Sequence, residues 1–357
     1  MKILVIKLRY IGDTVLLTPA LRAIKAGHPD AHVAALVNDW TAPVLRNHPF
    51  LDEVIPFPRT RAKTGNFLGR LRLQWRFLRR LRNGGFDLVI DLTDADRSAI
   101  CAFATGASRR IGFNAEGRWR GRLLTEVVTA SQRQHIVDYH FAALRKAGIP
   151  EAGRDLFLSV DPAEAREVDS FLASHGVSGN DFLLLIHPGA RWKGKCWPPV
   201  RFAEVAKRLA TEHGAKVVLA SGPDAEEQEI LAELCRRMET PFLLFPQEGG
   251  LPRFIALCAR SSLVIGNDSG PVHIAAAAGV PVVALFGPSL PSMWAPVGRR
   301  VATPQALLDC CPCGHTVCHR PEGSCMVLLG VDTVLEAVAS VLAPENRRSR
   351  EREGGAG

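Results

Sequence analysis

Four short polar turns, each after an apolar run, hold the residues whose types and spacing could do chemistry. The first is Gly12-Asp13, in RYIGDTV after KILVIKL. An aspartate there could act as a general base aimed into a cleft, or cap a helix N-terminus, worth ~1 kcal/mol. A lone glycine followed by an acid does not cradle phosphate, so neither the dinucleotide fingerprint nor the P-loop fits. The second turn, HPGARWKGKCWPP (187–199), gathers Arg191, Lys193 and Lys195 beside Gly189. Three cations with a glycine that admits close backbone approach suit a diphosphate, and Trp197-Pro198 would anchor the exit of the loop. A solvated basic loop is the competing reading. The third, SGPDAEEQEI (221–230), places Glu226 and Glu227 in the first turn of a helix. A carboxylate there can accept both hydroxyls of a ribose, or merely interact with the helix dipole, worth ~0.3–1 kcal/mol. The fourth, LVIGNDSGPVHIAAAAG (263–279), is the most specific. Gly266 and Gly270 flank Asn267, Asp268 and Ser269, and free N–H groups at the following helix start could hold phosphate. Asp268 would repel that phosphate and better suits the neutral hydroxyls of a sugar. His273, one turn into the helix, either reaches the cleft or packs as a structural residue, while Ala275 to Ala278 allow close packing on a sheet.

The elements that must position these turns alternate. Strand-like runs at 2–8, 31–37, 52–57, 86–92 and 109–113 are separated by helical spacing at 14–27, 66–83, 97–104 and 135–147. After Gly148 and Pro150 the pattern weakens, with one helix near 162–175, and then restarts. Strand-like runs at 182–188, 216–222, 241–245, 262–266 and 281–287 then alternate with helices at 199–213, 225–239, 252–259 and 271–278. A last helix lies near 331–343. Such alternation predicts an α/β chain with two parallel sheets and a ligand cleft between their carboxyl edges. The expected division is a first domain at 1–160, a connection at 161–180, a second domain at 181–343 and a disordered tail at 344–357.

At 357 residues the chain is long enough for two cores, and 47% hydrophobic with 22% charged residues is an ordinary globular composition. The longest apolar candidate, Val272 to Gly287, is broken by Gly279 and Pro281, so no run reaches the ~18 residues of a membrane span. KILVIKL is too short and too charged for a signal-peptide core, which makes the cytoplasm the expected compartment. The net charge of +8 is uneven: residues 1–150 hold 24 Lys or Arg against 12 Asp or Glu, a net +12, and the remainder is net −4. The asymmetry predicts an anionic partner for one half only.

Much of that charge lies in residues 59–82, with nine Lys or Arg and no acid. Leu68, Leu71, Trp75, Leu78 and Leu81 recur there at helical spacing, giving either a membrane-surface helix or a stripe that packs on the sheet while the arginines are solvated. Arg76, Arg79 and Arg80, with Arg118, Arg120 and Arg122, are the candidate contacts to acceptor phosphates or an anionic leaflet. Five of nine cysteines crowd into 310–325 beside His315 and His319. Cys310, Cys313, Cys318 and Cys325 could in principle hold a structural zinc, but paired CxxC spacing is absent, so no metal is expected.

IKLRYIGDTVLLTPALRAIK, HPGARWKGKCWP, SGPDAEEQ and IGNDSGPVHIAAAAGVPVVALFGPS, in this order and at these separations, resemble glycosyltransferase family 9, the heptosyltransferases of the lipopolysaccharide inner core. With FDLVIDLTD (86–94) and Lys195-Cys196-Trp197, the resemblance is closest to the heptosyltransferase III type. It implies a GT-B fold of two Rossmann-like domains, with the acceptor on the first and the nucleotide-sugar on the second. It also implies single-displacement, inverting transfer from ADP-heptose to a lipopolysaccharide core acceptor, without a metal; with the basic first half, a peripheral place at the cytoplasmic face of the inner membrane is expected. By matching position Asp13 becomes the catalytic base, Lys195 a diphosphate contact and Asp268 a ligand of the donor heptose. Ser269, Gly270 and His273 fall in the donor site, and Glu226 or Glu227 binds the ribose; the loop at 187–199 adds Gly189 and Arg191 to the expected donor contacts. Where some relatives carry hydroxyl residues this chain has Gly189 and Ala190, so backbone N–H groups must serve the phosphate.

Other classes fit less well. A non-hydrolysing sugar-nucleotide epimerase shares the architecture but not the Gly12-Asp13 turn. An NAD-dependent oxidoreductase needs a glycine-rich first turn. A non-enzymatic binder of anionic lipid or nucleic acid explains the basic half but leaves the polar turns of the second half without a purpose, so no nucleic-acid partner is expected.

Overall fold

The computed structural model describes residues 1–60, 67–131, 133–313, 318–320 and 322–343. Arg61 and Lys63 of the basic stretch, His315 and the expected tail at 344–357 lie outside the described residues.

The first six strands are β1 (Lys2–Lys7), β2 (His32–Asn38), β3 (Glu53–Phe57), β4 (Leu88–Asp91), β5 (Arg109–Phe113) and β6 (Glu126–Val128). They form one parallel sheet in the order β3-β2-β1-β4-β5-β6. The second sheet is built from β7 (Leu183–His187), β8 (Lys216–Leu219), β9 (Phe242–Leu244), β10 (Leu263–Asn267), β11 (Val282–Leu285) and β12 (Val301–Ala302), ordered β12-β11-β10-β7-β8-β9. In each the chain reverses direction across the sheet beside the first strand, with Ile3 paired to both Val33 and Leu88, and Ile186 to both Leu219 and Ile265. Loops leaving the two central strands diverge there and open a crevice at the carboxyl edge. The strands read as nearly unbroken apolar runs because helices cover both faces.

The helices are α1 (Ile11–Val15), α2 (Thr18–Gly27), α3 (Phe67–Asn83), α4 (Asp96–Thr105), α5 (Ile136–Ala147), α6 (Pro162–Ser174), α7 (Pro199–His213), α8 (Ala225–Arg237), α9 (Gly250–Arg260), α10 (Gly270–Ala277), α11 (Pro291–Trp294), α12 (Cys325–Leu328) and α13 (Val331–Leu342). The single helix expected at 14–27 is two. Pro19 has no N–H to offer the Val15 carbonyl, and the Thr18 hydroxyl donates to it instead at 2.8 Å. The edge strands β6 and β12 escape the sequence pattern because each is too short to show a period. In the connection expected at 161–180, α6 is docked on α9 through Glu164–Arg253 (3.1 Å) and Asp169–Arg260 (3.2 Å).

One apolar cluster runs through both halves, from Ile3 and Val33 to Val264, Ile274 and Phe286. The stripe expected on α3 divides. Phe77 and Leu81 are buried in a second cluster with Leu4, Ile6 and Phe86, whereas Leu68 (64%), Leu71 (46%) and Trp75 (61%) stay exposed with Phe67 (71%). No helix among the described residues is long and apolar enough to cross a membrane.

Candidate active site

β1 ends in Lys7, whose side chain turns inward and is 2% exposed. Its ammonium donates to the Leu92 carbonyl at 3.0 Å, meets His140 Nε2 at 3.0 Å and lies 3.4 Å from Asp13 Oδ1. His140 Nδ1 is 3.3 Å from the Leu16 carbonyl, which assigns the ring proton to Nδ1 and leaves Nε2 to accept from Lys7. Burial pushes Lys7 below the usual lysine range while the Asp13 charge pulls it back, and burial holds His140 neutral well below the usual histidine range. Asp13 is the third residue of α1, behind Tyr10 at the N-cap, so it is not itself the capping residue. Its Oδ2 accepts the Tyr10 N–H at 3.4 Å, and its side chain keeps 13% exposure.

On the second sheet, Lys195 lies 2.5 Å from Asp268 Oδ2, and the Ser289 hydroxyl donates to the same oxygen. Asn267 joins two turns: its Oδ1 accepts the Trp197 N–H at 3.0 Å and its Nδ2 donates to the Pro188 carbonyl at 2.6 Å. Trp197 is fully buried with its indole N–H on the Leu329 carbonyl at 2.9 Å, so it anchors the loop exit as expected. The polar run Asn267–Ser269 and the Gly287-Pro288-Ser289 turn are visible in the sequence as polar turns on this edge, but the Asn267 amide clasp and the Ser289 hydroxyl on Asp268 are contacts that only the structure gives.

The two halves meet at these turns. A Cβ on Gly12 would come within 2.6 Å of His273 Cδ2, and one on Gly270 within 2.9 Å of Ile11 Cβ. Only glycine at both positions lets the starts of α1 and α10 approach this closely. Among the described residues the buried His273 has no hydrogen-bond partner for Nδ1, and burial lowers it to about 4 against the pull of Asp268 and Asp13. The Arg191 guanidinium lies 4.1 Å from the centre of the Tyr10 ring, across the same junction. His135 Nε2 reaches the Ala295 carbonyl at 3.0 Å beside it. Asp13, His273, Asp268 and Lys195 therefore converge from two sheets, with Ser269 and Gly270 at the N-terminus of α10.

Glu226 and Glu227 separate. Glu227 accepts the Gly222 N–H at 2.8 Å, and a Cβ on Gly189 would lie 2.9 Å from its Cγ. The space that Gly189 leaves is thus filled by the Glu227 side chain, and Glu226 faces solvent. The cation group expected at the acceptor also divides. Arg120 is buried with its guanidinium 2.9 Å from Asp94, 3.2 Å from Asp96 and 3.4 Å from Glu116. Three carboxylates use its donors, so it braces the β4–α4 turn instead of presenting charge to a ligand. Arg118 and Arg122 are exposed, while Arg76, Arg79 and Arg80 lie on α3 beside β3, away from this cluster. Cys325 is buried, with its sulfur close to Gly287, and Cys310 is exposed. Among the described residues no group of three or more His, Cys, Asp or Glu is placed to hold a metal ion.

A family model described as glycosyltransferase family 9 (heptosyltransferase) matches residues 74–322. An Escherichia coli K12 protein named lipopolysaccharide heptosyltransferase 3 is 30% identical over 294 residues, 81% of this chain and 83% of its own. The solved structure of E. coli ADP-heptose lipopolysaccharide heptosyltransferase II superposes with a TM-score of 0.76 at 25% identity, over 96% of this chain and 98% of that one. A family 9 glycosyltransferase from Veillonella parvula shares the fold at a TM-score of 0.82 and 24% identity, over 96% and 97% of the two chains. The chain belongs to glycosyltransferase family 9, the heptosyltransferases, and is a glycosyltransferase of GT-B fold.

Proposed function

We propose that the protein moves L-glycero-D-manno-heptose from ADP-heptose to a hydroxyl of the lipopolysaccharide inner core, with inversion, as the enzyme of the heptose III side branch. The observation that carries this reading is the meeting of Asp13 on one sheet with Lys195, Asp268 and Ser289 on the other, where α1 touches α10. The similarity to a protein named heptosyltransferase 3 supports the subtype, and the likeness to heptosyltransferase II makes a type I or II enzyme the alternative.

In this reading residues 1–160 hold the acceptor, 161–180 connect, and 181–343 hold the nucleotide-sugar. Asp13 takes the proton of the acceptor hydroxyl, whose oxygen then attacks the anomeric carbon. The bond from that carbon to the diphosphate oxygen breaks, and ADP leaves with the electron pair. Lys195 and Arg191 stabilise the departing charge with the N–H groups at the start of α10, and no metal is called for. The diphosphate draws Lys195 away from Asp268, which frees that carboxylate for the hydroxyls of the heptose. Glu227 accepts the ribose hydroxyls, and neutral His273 walls the junction against Gly12. The enzyme works peripherally at the cytoplasmic face of the inner membrane, where a lipid-linked acceptor resides.

Incubation of wild type and Asp13→Ala with ADP-heptose and heptose-containing core acceptors tests the reading. Transfer by wild type alone supports it; ADP-heptose binding without transfer to any core acceptor overturns it.

A further inference from the structure

Helix α3 is longer than the sheet it covers. Phe57, the last residue of β3, packs edge-on against Phe77 at 5.1 Å, so the ten residues of α3 before Phe77 run about 15 Å beyond the carboxyl edge of the sheet. That is the edge on which Asp13 sits. Phe67, Leu68, Leu71 and Trp75 lie on this overhang and are exposed.

Behind the overhang, a recess of about 590 Å³ opens between α3 and β3. Trp75, Ile55 and Phe86 form apolar walls, and Arg76, Arg79, Arg80 and Asn83 provide donors. Its one carboxylate, Glu53, is already engaged by Arg80 at 3.0 Å and by His32 at 3.7 Å. Arg79 lies over the Trp75 ring at 5.3 Å, and Arg76 has no ion-pair partner among the described residues. The recess thus holds two uncompensated guanidinium groups one turn from an exposed apolar strip. The helix carries six arginines and no acid, so a second copy of the chain docked on this face would oppose like charges.

We propose that this recess receives the phosphate headgroup of an anionic lipid, with Phe67, Leu68 and Leu71 seated among the acyl chains of the same bilayer. Planar guanidinium groups bind phosphate oxygens in pairs, and an aromatic residue at the rim suits the interface between headgroup and chain. A bilayer held there lies on the side of the sheet where Asp13 opens. The inference deepens the proposed function by naming the surface that brings the site to a lipid-linked acceptor.

Full-length protein is titrated with phosphatidylcholine vesicles, with and without phosphatidylglycerol, and binding is read by flotation. ADP binding confirms that each variant is folded. Wild type is expected to bind only the vesicles that carry phosphatidylglycerol. Arg76→Ala/Arg79→Ala is expected to weaken that binding about thirtyfold, at about fivefold for each cation near the surface. Leu68→Ser/Leu71→Ser, which keeps every arginine, weakens it as well. Wild-type binding by the arginine variant, or equal binding to both vesicle types, overturns the proposal. Displacement from vesicles by inorganic phosphate at a concentration that matches the lipid phosphate also overturns it, because the recess would then be a site for the free anion. Transfer to a deacylated, water-soluble core acceptor reports separately on the proposed function. Its absence with vesicle binding intact removes that function and leaves the lipid site standing.

Discussion

The ammonium of Lys7 stands 3.4 Å from Asp13 Oδ1 and 3.0 Å from His140 Nε2, at the closed end of the first switch point. This buried cation is held by a carbonyl and a neutral imidazole and, among the described residues, ion-pairs with Asp13, so it fixes where the Asp13 carboxylate points. Lys7→Met removes that partner with little change in volume. Transfer should fall by about tenfold to a hundredfold at neutral pH, the loss should shrink as pH rises, and ADP affinity should not change. Initial rates across a pH series check this. A uniform loss at all pH values would mean that Lys7 only supports packing.

Lys195 is ion-paired with Asp268 at 2.5 Å, so a bound diphosphate must exchange one anion for another. Lys195→Ala should weaken ADP binding about tenfold to a hundredfold, the range for a charge-assisted contact of about 1.5–3 kcal/mol. Asp268→Asn should spare ADP and weaken ADP-heptose, since its role begins at the sugar. Calorimetric titration with both ligands separates the two.

Glu227 and Glu226 are adjacent in sequence and opposite in setting, one accepting the Gly222 N–H at 2.8 Å and the other in solvent. Glu227→Ala should weaken ADP binding by about tenfold, the value of a hydrogen bond to a charged acceptor. Glu226→Ala should not alter it. Equal effects would move the ribose contact elsewhere.

The alternation of apolar runs with helical spacing is enough to foresee two parallel sheets, because strands covered on both faces cannot hide their composition. The order of the polar turns likewise locates Asp13, Lys195 and Asp268. Several features are invisible in the sequence for physical reasons. Whether a first-turn aspartate caps a helix or points across it depends on which residue takes the N-cap, here Tyr10. Which of two neighbouring glutamates turns inward depends on helix phase against Gly189 and Gly222. Arg120 reads as a surface cation because its three carboxylates come from segments up to 26 residues away. The exposed strip of α3 follows from helix length relative to the sheet, which periodicity does not encode.

Gly12→Ala tests whether the junction between the sheets must be this close. The added methyl would lie 2.6 Å from Cδ2 of the buried His273. Both sheets should form, because the clash is confined to their contact, but Asp13 should be displaced by about an ångström. A loss of about a hundredfold in transfer is expected from a misplacement of that size, with ADP binding largely kept. Circular dichroism with single-turnover transfer assays checks it.

Acid should destabilise the fold through its buried histidines. Burial lowers both His48 and His273 to about 4, and it also lowers His135, His140 and His187. The unfolded chain binds more protons than the folded one between those values and about 6.5, so stability is greatest above about pH 6.5 and is lost as pH falls. Asp91 acts in the opposite sense: burial raises it to about 6, so its folded form binds the extra proton and favours lower pH. Five histidines outweigh one carboxyl, and the melting temperature should drop between about pH 7 and pH 4.5. His48→Asn keeps an acceptor for the Phe50 N–H that His48 Nδ1 now receives at 3.3 Å, and it cannot take up the proton. It should flatten the profile by about 3 kcal/mol over that range, because the imidazole that protonates at about 6.5 in the unfolded chain does so only at about 4 in the folded one. Thermal melts of wild type and variant across the series decide it, and parallel profiles would assign the acid loss to other groups.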